Sequence, residues 1–216
     1  MKKLAFVTDF DGTITHNDFF HMVIDAYFEG KDLQPWYDYK AGKKDHFDAL
    51  SSIFGKIRAD KKDFDALINT IDVDEDFAKV LSLCKEKGVP VYVVSAGSSY
   101  YIKRKVGELL SEYDVELIAN GGGYSPKTGM KMIKPPSGYV YFDDSVGVSK
   151  AKVVRDLQSK GFFVIFAGDG DVDFEAAKEA DVVFAKSDLL QKCRKTGVEA
   201  KFFKSFKDIV GFMERM

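Results

Sequence analysis

The sequence predicts an α/β fold in which a doubly wound parallel sheet carries an inserted helical module. Apolar runs of strand length alternate with helix-length segments, which is the pattern of a parallel sheet. The run from Leu4 to Thr8 is too apolar for a strand with one wet face, so we expect burial on both sides. A length of 216 residues suits one core domain with a smaller inserted module better than two ordinary domains.

The first half of the chain begins with this strand and continues as helices. Residues 17–71 have aromatic and aliphatic positions at helical spacing, with a break at "EGKDLQPW". A helix is predicted over 75–87, where Gly88 ends it, and "VPVYVVSAG" follows as a second buried strand. Ser98 or Ser99 is placed to cap the next helix, "SYYIKRKVGELL".

The second half repeats the alternation. "VELIAN" is the third predicted strand, and "GGGYSPKTGMKMI" has the glycine and proline spacing of a hairpin. A helix over 149–160 stops at Gly161, and "FFVIFAGDGD" is the fourth strand. The last predicted elements are a helix over 173–180, the strand "DVVFA", a helix over 187–195 and a helix from Ser205.

Composition and charge narrow the function. A formal net charge of −2 gives no global field that would recruit nucleic acid or anionic lipid, so neither is an expected partner. The N-terminal apolar run, Leu4 to Val7, is too short for a signal peptide or a membrane span. Cys84 and Cys193 have no metal-type or redox spacing, which fits a reducing compartment. We therefore expect a cytoplasmic protein.

Polar and small residues follow three of the predicted strands. The first strand ends in "DFDGT", the second in "SAG" and the fourth in "GDGDVD". In doubly wound sheets, ligands bind beyond the carboxyl ends of the strands. Oxygen ligands from three strand ends at one edge indicate a hard cation together with a phosphate.

Asp9 and Asp11 lie two positions apart at the end of the first strand. Residues at this spacing project to the same side, while Phe10 packs away from them. Two carboxylates stay ionised together if a divalent cation neutralises them, and Mg²⁺ favours one or two carboxylates with water and phosphate. One carboxylate can attack the phosphate, and the other can protonate the leaving alcohol. Gly12 permits a tight turn, and Thr13 offers a hydroxyl group.

Other ligand-binding patterns are excluded. The run "DGDVD" begins like an EF-hand calcium loop, which requires glycine at its sixth position and glutamate at its twelfth. This chain has Phe174 and Ala180 at those positions. Neither G-x-G-x-x-G nor the P-loop pattern is present.

The motifs "DFDGT", "VVSAG", Lys150 and "GDGDVD", in this order, resemble the four motifs of the haloacid dehalogenase superfamily of phosphatases. The resemblance covers the whole chain. It implies a Rossmann-like core over residues 1–14 and 78–216, with a helical cap over 15–77. Within the superfamily the chain is similar to the branch of the phosphoserine phosphatases and of the methionine-salvage phosphatases that act on a methylthio-ketopentenyl phosphate.

The resemblance also implies residue roles. Asp9 would be the nucleophile and Asp11 the general acid and base. Lys150, rather than the neighbouring Lys152, would neutralise the phosphate and the nucleophile. Mg²⁺ would be bound by Asp9, by the main-chain carbonyl of Asp11 and by Asp169, while Asp173 would hold the lysine or a metal-bound water. The residues expected to contact substrate are Thr13, Asp18, Arg58, Ser95, Ala96 and Gly97.

An acid two residues after the nucleophile favours release of an alcohol, so the expected enzyme is a phosphomonoesterase acting on a small phosphorylated metabolite. Phosphoserine phosphatases hold the substrate carboxylate with a cap arginine that "DALSSIF" lacks, and "DVVFAKSDLLQKCRKTG" resembles the methionine-salvage enzymes. Phosphoserine stays an alternative substrate, with Arg58 as its carboxylate ligand. A receiver-like phosphoacceptor or a non-catalytic phosphate-binding module is the alternative of another class. We expect a monomer or a homodimer.

Overall fold

The computed structural model describes residues 3–216, whose strands form a seven-stranded sheet and a separate two-stranded sheet. The large sheet has the order β4-β3-β2-β1-β7-β8-β9 and is parallel except for the antiparallel edge strand β4. The strands are β1 (Lys3–Thr8), β2 (Val91–Ser98), β3 (Glu116–Ser125), β4 (Gly129–Ile133), β5 (Phe142–Asp143), β6 (Gly147–Val148), β7 (Phe162–Gly168), β8 (Val182–Ala185) and β9 (Lys201–Phe202).

Helices cover both faces of the large sheet. They are α1 (Phe19–Tyr27), α2 (Gln34–Lys40), α3 (His46–Phe54), α4 (Lys61–Asn69), α5 (Phe77–Lys87), α6 (Ser99–Glu112), α7 (Lys150–Ser159), α8 (Phe174–Glu179), α9 (Ser187–Thr196) and α10 (Phe206–Met213). Short 3₁₀ turns lie at Gly30–Leu33 and Asp171–Asp173. In the part of the chain that the structure describes, no helix combines the length and apolarity that a membrane crossing requires.

Strand β1 runs through the middle of the sheet and is buried on both faces. Ala5 and Val7 belong to one hydrophobic cluster, whereas Phe6 belongs to the cluster on the opposite face. This alternation is the strand period of two placed between two helical layers. The predicted doubly wound α/β fold is therefore confirmed.

Most predicted element ends lie close to the observed ones because the local signals are strong. Gly88, at φ +65°, ends α5 in the left-handed conformation, and Ser98 caps α6 by accepting a hydrogen bond from the amide of Tyr100. Strand β3 continues past the predicted "VELIAN" because the three following glycines pair with β4. The two-residue strands β5, β6 and β9 have no counterpart in the sequence analysis, since so short a segment has no period.

Helices α1 to α4 come from one segment between β1 and β2. This segment leaves and rejoins the sheet at neighbouring points, where Thr15 and Val73 form an isolated antiparallel bridge. The amide of His16 donates to the carbonyl of Asp72 at 2.8 Å beside this bridge. Most aromatic residues of the segment join the same hydrophobic cluster as one face of the sheet, so the segment is packed on the sheet over residues 19–69.

Candidate active site

A cavity of about 350 Å³ opens at the carboxyl ends of β1, β2 and β7, under the helical segment. The sheet side contributes the acids, the lysine and the small residues that the sequence predicts for this edge. The residues from that side are Asp9, Asp11, Ser95, Ala96, Gly97, Tyr101, Lys150, Asp169, Gly170, Asp171, Val172, Asp173, Ser187 and Asp188. Those from the helical segment are Asp18, Phe20, His21, Trp36, Tyr39, Lys40, His46, Leu50 and Phe54.

Lys150 occupies the centre of the charged group. It begins α7, its side chain is almost fully buried, and its Nζ lies 2.6 Å from Oδ1 of Asp9. The same ammonium group also forms an ion pair with Asp173. Burial by itself would lower the pKa of Lys150, but the carboxylates of Asp173 and Asp9 outweigh it and raise that pKa. Lys150 is therefore a fixed positive charge, whereas Lys152 donates to the carbonyl of Phe142 and does not line the cavity.

A third carboxylate, that of Asp169, lies beside the two that pair with Lys150. Oxygen atoms of Asp9, Asp169 and Asp173 all lie within 4.8 Å of one another. Burial, which the charge of Lys150 opposes, raises the pKa of Asp9 to about 7. Burial and the charges of Asp9 and Asp173 raise the pKa of Asp169 to about 8. Three acids and one base leave an excess of negative charge, and an oxygen-only donor set fits a hard divalent cation such as Mg²⁺.

Neighbouring groups fix the orientation of these acids. The hydroxyl of Thr13 donates to Oδ1 of Asp169 at 3.0 Å and lies 3.5 Å from Oδ2 of Asp9. Oδ2 of Asp173 accepts from the amides of Asp169 and Gly170 at 3.0 and 2.9 Å. A Cβ at Gly12, where φ is +70°, would lie 2.4 Å from Oδ2 of Asp169, so only glycine permits this approach.

The second acid of the first motif is held apart from the ion pair. Oδ1 of Asp11 accepts a hydrogen bond from the amide of Phe19 at 3.3 Å, and Oδ2 accepts one from the hydroxyl of Tyr101. Burial raises the pKa of Asp11 well above its usual value, and the charges of Asp18 and Asp9 add to this. A raised pKa favours the protonated form of the carboxyl group, which is the form that a general acid uses.

The end of β2 places Ser95, Ala96 and Gly97 in the cavity. The register between β2 and β3 shifts between Ser95 and Ser98, so the intervening residues leave the regular ladder. The Ser95 hydroxyl accepts from the amide of Gly97 at 2.9 Å, and Asn120 Nδ2 donates to the Ala96 carbonyl at 2.8 Å. Two buried side chains therefore fix the shape of this turn.

The two cap residues predicted to contact substrate are placed differently. Asp18 lines the cavity, and its Oδ1 caps α1 by accepting from the amide of Phe20 at 2.7 Å. Arg58 lies outside the lining and donates to the carbonyls of Gly55 and Ile57, both at 2.8 Å. Among the described side chains of the helical segment, the lysine or arginine that lines the cavity is Lys40.

Aromatic side chains of the helical segment form another part of the cavity wall. Trp36 packs against Phe20 and Tyr39, with ring centroids 4.4 and 5.0 Å apart, and His46 lies 5.1 Å from Tyr39. Burial, with the charges of Lys150 and Lys40, lowers the pKa of His46 to about 4, so its imidazole is neutral. From the sequence alone, these aromatic residues look like the packing core of a helical bundle. No sequence pattern marks His46 or Tyr101 as a residue of the candidate site.

The family model for haloacid dehalogenase-like hydrolases matches residues 6–178. Because this match covers most of the chain, the protein belongs to the haloacid dehalogenase-like hydrolase family, as its four motifs indicate. The chain is 27% identical to the 2-hydroxy-3-keto-5-methylthiopentenyl-1-phosphate phosphatase of Geobacillus thermodenitrificans, over 100% of this chain and 97% of that relative. The protein of the same name from Exiguobacterium sibiricum is 26% identical, over 98% of this chain and 96% of its own.

The fold is also that of solved phosphatases. A substrate-bound phosphoserine phosphatase complex matches with a TM-score of 0.70 and 16% identity, over 98% of this chain and 99% of that one. The phosphoserine phosphatase from T. onnurineus matches with a TM-score of 0.67 and 21% identity, over 100% and 96% of the two chains. At these identities the likeness concerns the fold alone.

Proposed function

We propose that this protein is a Mg²⁺-dependent phosphomonoesterase that cleaves a small phosphorylated metabolite through an aspartyl-phosphate intermediate. The observation that supports this most directly is the buried arrangement of Lys150 between Asp9 and Asp173, with Asp169 beside them. This arrangement places a nucleophile, the fixed positive charge of Lys150 and a group of carboxylates that could bind a metal ion at one edge of the sheet. Phosphoryl transfer requires these three components.

Each group has a proposed role. The Asp9 carboxylate forms a bond to phosphorus while the bond from phosphorus to the alcohol oxygen breaks, and Asp11 gives its proton to that oxygen. In the second half, Asp11 takes a proton from the water that attacks phosphorus, which frees Asp9 and releases phosphate. Lys150 and Ser95, with the amides around Ala96 and Gly97, would hold the phosphoryl oxygens.

The proposed Mg²⁺ site is formed by residues of the same group. Asp9, the main-chain carbonyl of Asp11 and Asp169 would hold Mg²⁺, and Asp173 would hold Lys150 and support the cation site. When bound, Mg²⁺ neutralises excess carboxylate charge and polarises the phosphate. Thr13 fits a supporting role, because its hydroxyl donates to Asp169 rather than lining the cavity.

The proposed substrate is a methylthio-ketopentenyl phosphate or a close analogue. The names of the relatives suggest it, and the aromatic residues Phe20, Trp36 and Tyr39 offer contacts for an apolar tail. Arg58 bonds to main-chain carbonyls outside the cavity, so it is poorly placed to bind a substrate carboxylate. We place this phosphatase in the cytoplasm, acting as a monomer or homodimer, with residues 15–77 as cap and 1–14 with 78–216 as core.

Phosphoserine is the second candidate substrate, for one specific reason. Lys40 and Asp18 both line the cavity and have opposite charges, so the carboxylate and the amine of an amino-acid phosphate would each find a counter-charge. Lys40 is engaged by Asp171 at 3.7 Å, which lowers the weight of this alternative.

The experiment compares substrates, metal dependence and the covalent intermediate in one preparation. The protein is assayed on p-nitrophenyl phosphate with a Mg²⁺ titration and with EDTA, then by kcat/KM on the keto-enol phosphate and on phosphoserine. We expect activity that EDTA abolishes, preference for the keto-enol phosphate, and acid-stable phosphate on Asp9 by mass spectrometry after a quench. Activity unaffected by EDTA, or phosphate on any other residue, would overturn the proposal. Asp9→Asn should abolish turnover because no phosphoryl acceptor remains, whereas the control Asp48→Asn, at an exposed helix position, should not.

A further inference from the structure

Tyr101 reaches Asp11 from outside the four sequence motifs. It lies in the first turn of α6, its side chain is 2% exposed, and its hydroxyl donates to Oδ2 of Asp11. The other carboxyl oxygen of Asp11 accepts from the amide of Phe19, the first residue of α1. Asp11 is thus held from two directions, by the helix that follows β2 and by the start of the helical segment.

The packing leaves the Tyr101 hydroxyl a single position. The ring of Tyr101 stacks on Phe19 with centroids 4.3 Å apart and lies 6.1 Å from Phe10. A Cβ at Gly97 would lie 1.9 Å from the Tyr101 hydroxyl and 3.1 Å from Oδ2 of Asp11. The hydroxyl therefore fills the space that a larger residue at position 97 would need. Close packing of the ring against Phe19 and Phe10 restricts its change to another rotamer.

We infer that Tyr101 is a positioning residue that orients the carboxyl group of Asp11 for proton transfer to and from the substrate oxygen, an inference that rests on the proposed function. A carboxyl group has roughly four lone-pair sites, so the bonds from Tyr101 and Phe19 leave sites for the transferred proton. Asp11 gives that proton to the alcohol oxygen as its bond to phosphorus breaks and regains one from the attacking water. Tyr101 keeps its own proton throughout.

The test uses the fact that a general acid helps most when the leaving group is strongly basic. An alkyl phosphate must release an alkoxide unless the oxygen is protonated, whereas p-nitrophenyl phosphate releases a stable phenolate. Tyr101→Phe is expected to lower kcat/KM for an alkyl phosphate about 10- to 100-fold, the size of the effect when a buried acceptor loses its hydrogen-bond donor. The loss for p-nitrophenyl phosphate should be much smaller, and KM for both should change little.

The matched control is Tyr100→Phe. Tyr100 is the preceding residue of the same helix, and its buried hydroxyl has no hydrogen-bond partner among the described residues. Removing that hydroxyl should leave both kcat/KM values unchanged. Thermal unfolding of both variants verifies that each is folded at the assay temperature.

A double-mutant cycle with Asp11→Asn gives a second readout. Asp11→Asn should show the same dependence on the leaving group with a larger loss, about 10²–10⁴-fold, and adding Tyr101→Phe should cost almost nothing more. Equal losses on the two esters, or full additivity with Asp11→Asn, would reduce Tyr101 to a packing role. If the unmodified protein hydrolyses neither ester, the proposed function fails instead, so the two failures are distinguishable.

Discussion

Lys150→Met removes the ammonium group from the candidate active site, and Lys152→Met removes one from the same helix outside the cavity. The two lysines are two positions apart in α7, so the variants share helix, charge change and side-chain length. Lys150 is 4% exposed and lies 2.6 Å from Asp9, whereas Lys152 donates to the carbonyl of Phe142. Only the first change leaves buried carboxylates without their cation.

The expected size of the effect follows from this geometry. At 2.6 Å an ammonium and a carboxylate attract each other by about 6 kcal/mol at an effective dielectric constant of 20, and desolvation offsets much of this. Removing one partner of a buried pair costs about 3–5 kcal/mol of folding free energy. Losing one electrostatic group that stabilises the transition state lowers kcat by about 10²–10³-fold. We expect Lys150→Met to show a kcat loss of this order.

The assay is kcat for p-nitrophenyl phosphate hydrolysis at saturating Mg²⁺, with thermal unfolding of the same samples. Bound Mg²⁺ neutralises part of the acidic group, so the stability loss of Lys150→Met should be smaller with Mg²⁺ than with EDTA. Lys152→Met should stay close to the unmodified protein in both measurements. Equal and small effects of the two substitutions would refute the reasoning and assign Lys150 no catalytic role.

Three further predictions concern the proposed metal site and the helical segment. With EDTA, the raised pKa values of Asp9 (about 7) and Asp169 (about 8) mean that the folded protein binds protons more tightly than the unfolded chain. Its free energy of unfolding should therefore fall as the pH rises from about 4 to about 8. Mg²⁺ should raise Tm more at pH 8 than at pH 5, because the carboxylates are then ionised. A Tm that does not change with pH in the presence of EDTA would contradict this prediction. Gly12→Ala should weaken activation by Mg²⁺, because the new Cβ would displace Asp169. Gly42→Ala is the control: it is also at φ +70°, but no atom lies within 4 Å of its Cβ, so it should cost only backbone strain of about 1–2 kcal/mol. Equal Mg²⁺ titration curves for the two variants would contradict this prediction. Arg58→Ala should leave kcat/KM for phosphoserine unchanged because its guanidinium bonds to main-chain carbonyls, and a selective loss would restore Arg58 as a carboxylate ligand.

The sheet and its acidic edge were predictable because their signals are local. A parallel strand order brings carboxyl ends to one edge whatever the loops do, so residues that follow β1, β2 and β7 must meet there. The structure brings Asp9 and Asp169 together in this way, with Ser95 from the end of β2 and Lys150 from the start of α7. Their proposed roles stay predictions until the variants are assayed.

The wall of the cavity that the helical segment forms was not predictable from local sequence patterns. Which face of a short helix turns toward the sheet depends on packing between residues far apart in sequence, as with His46 and Lys40. Tyr101 illustrates the limit, because an aromatic residue in an amphipathic helix has the same pattern whether or not its hydroxyl meets an acid. Arg58 shows the reverse, since a cation at a plausible sequence position bonds to nearby carbonyls instead of reaching the cavity.

The chain leaves the sheet at Thr15 and returns at Val73, and these two residues are paired in a β-bridge. Because exit and return lie side by side, the order of the strands does not depend on the length or shape of what is inserted between them. An exchange of the insert at this seam alters the surface offered to the organic part of a substrate and leaves Asp9, Asp169, Asp173 and Lys150 in place, but it also replaces Phe19, whose amide donates to Asp11. A new insert joined at Thr15 and Val73 can therefore change specificity and keep the chemistry only if it supplies an amide that holds Asp11 as Phe19 does.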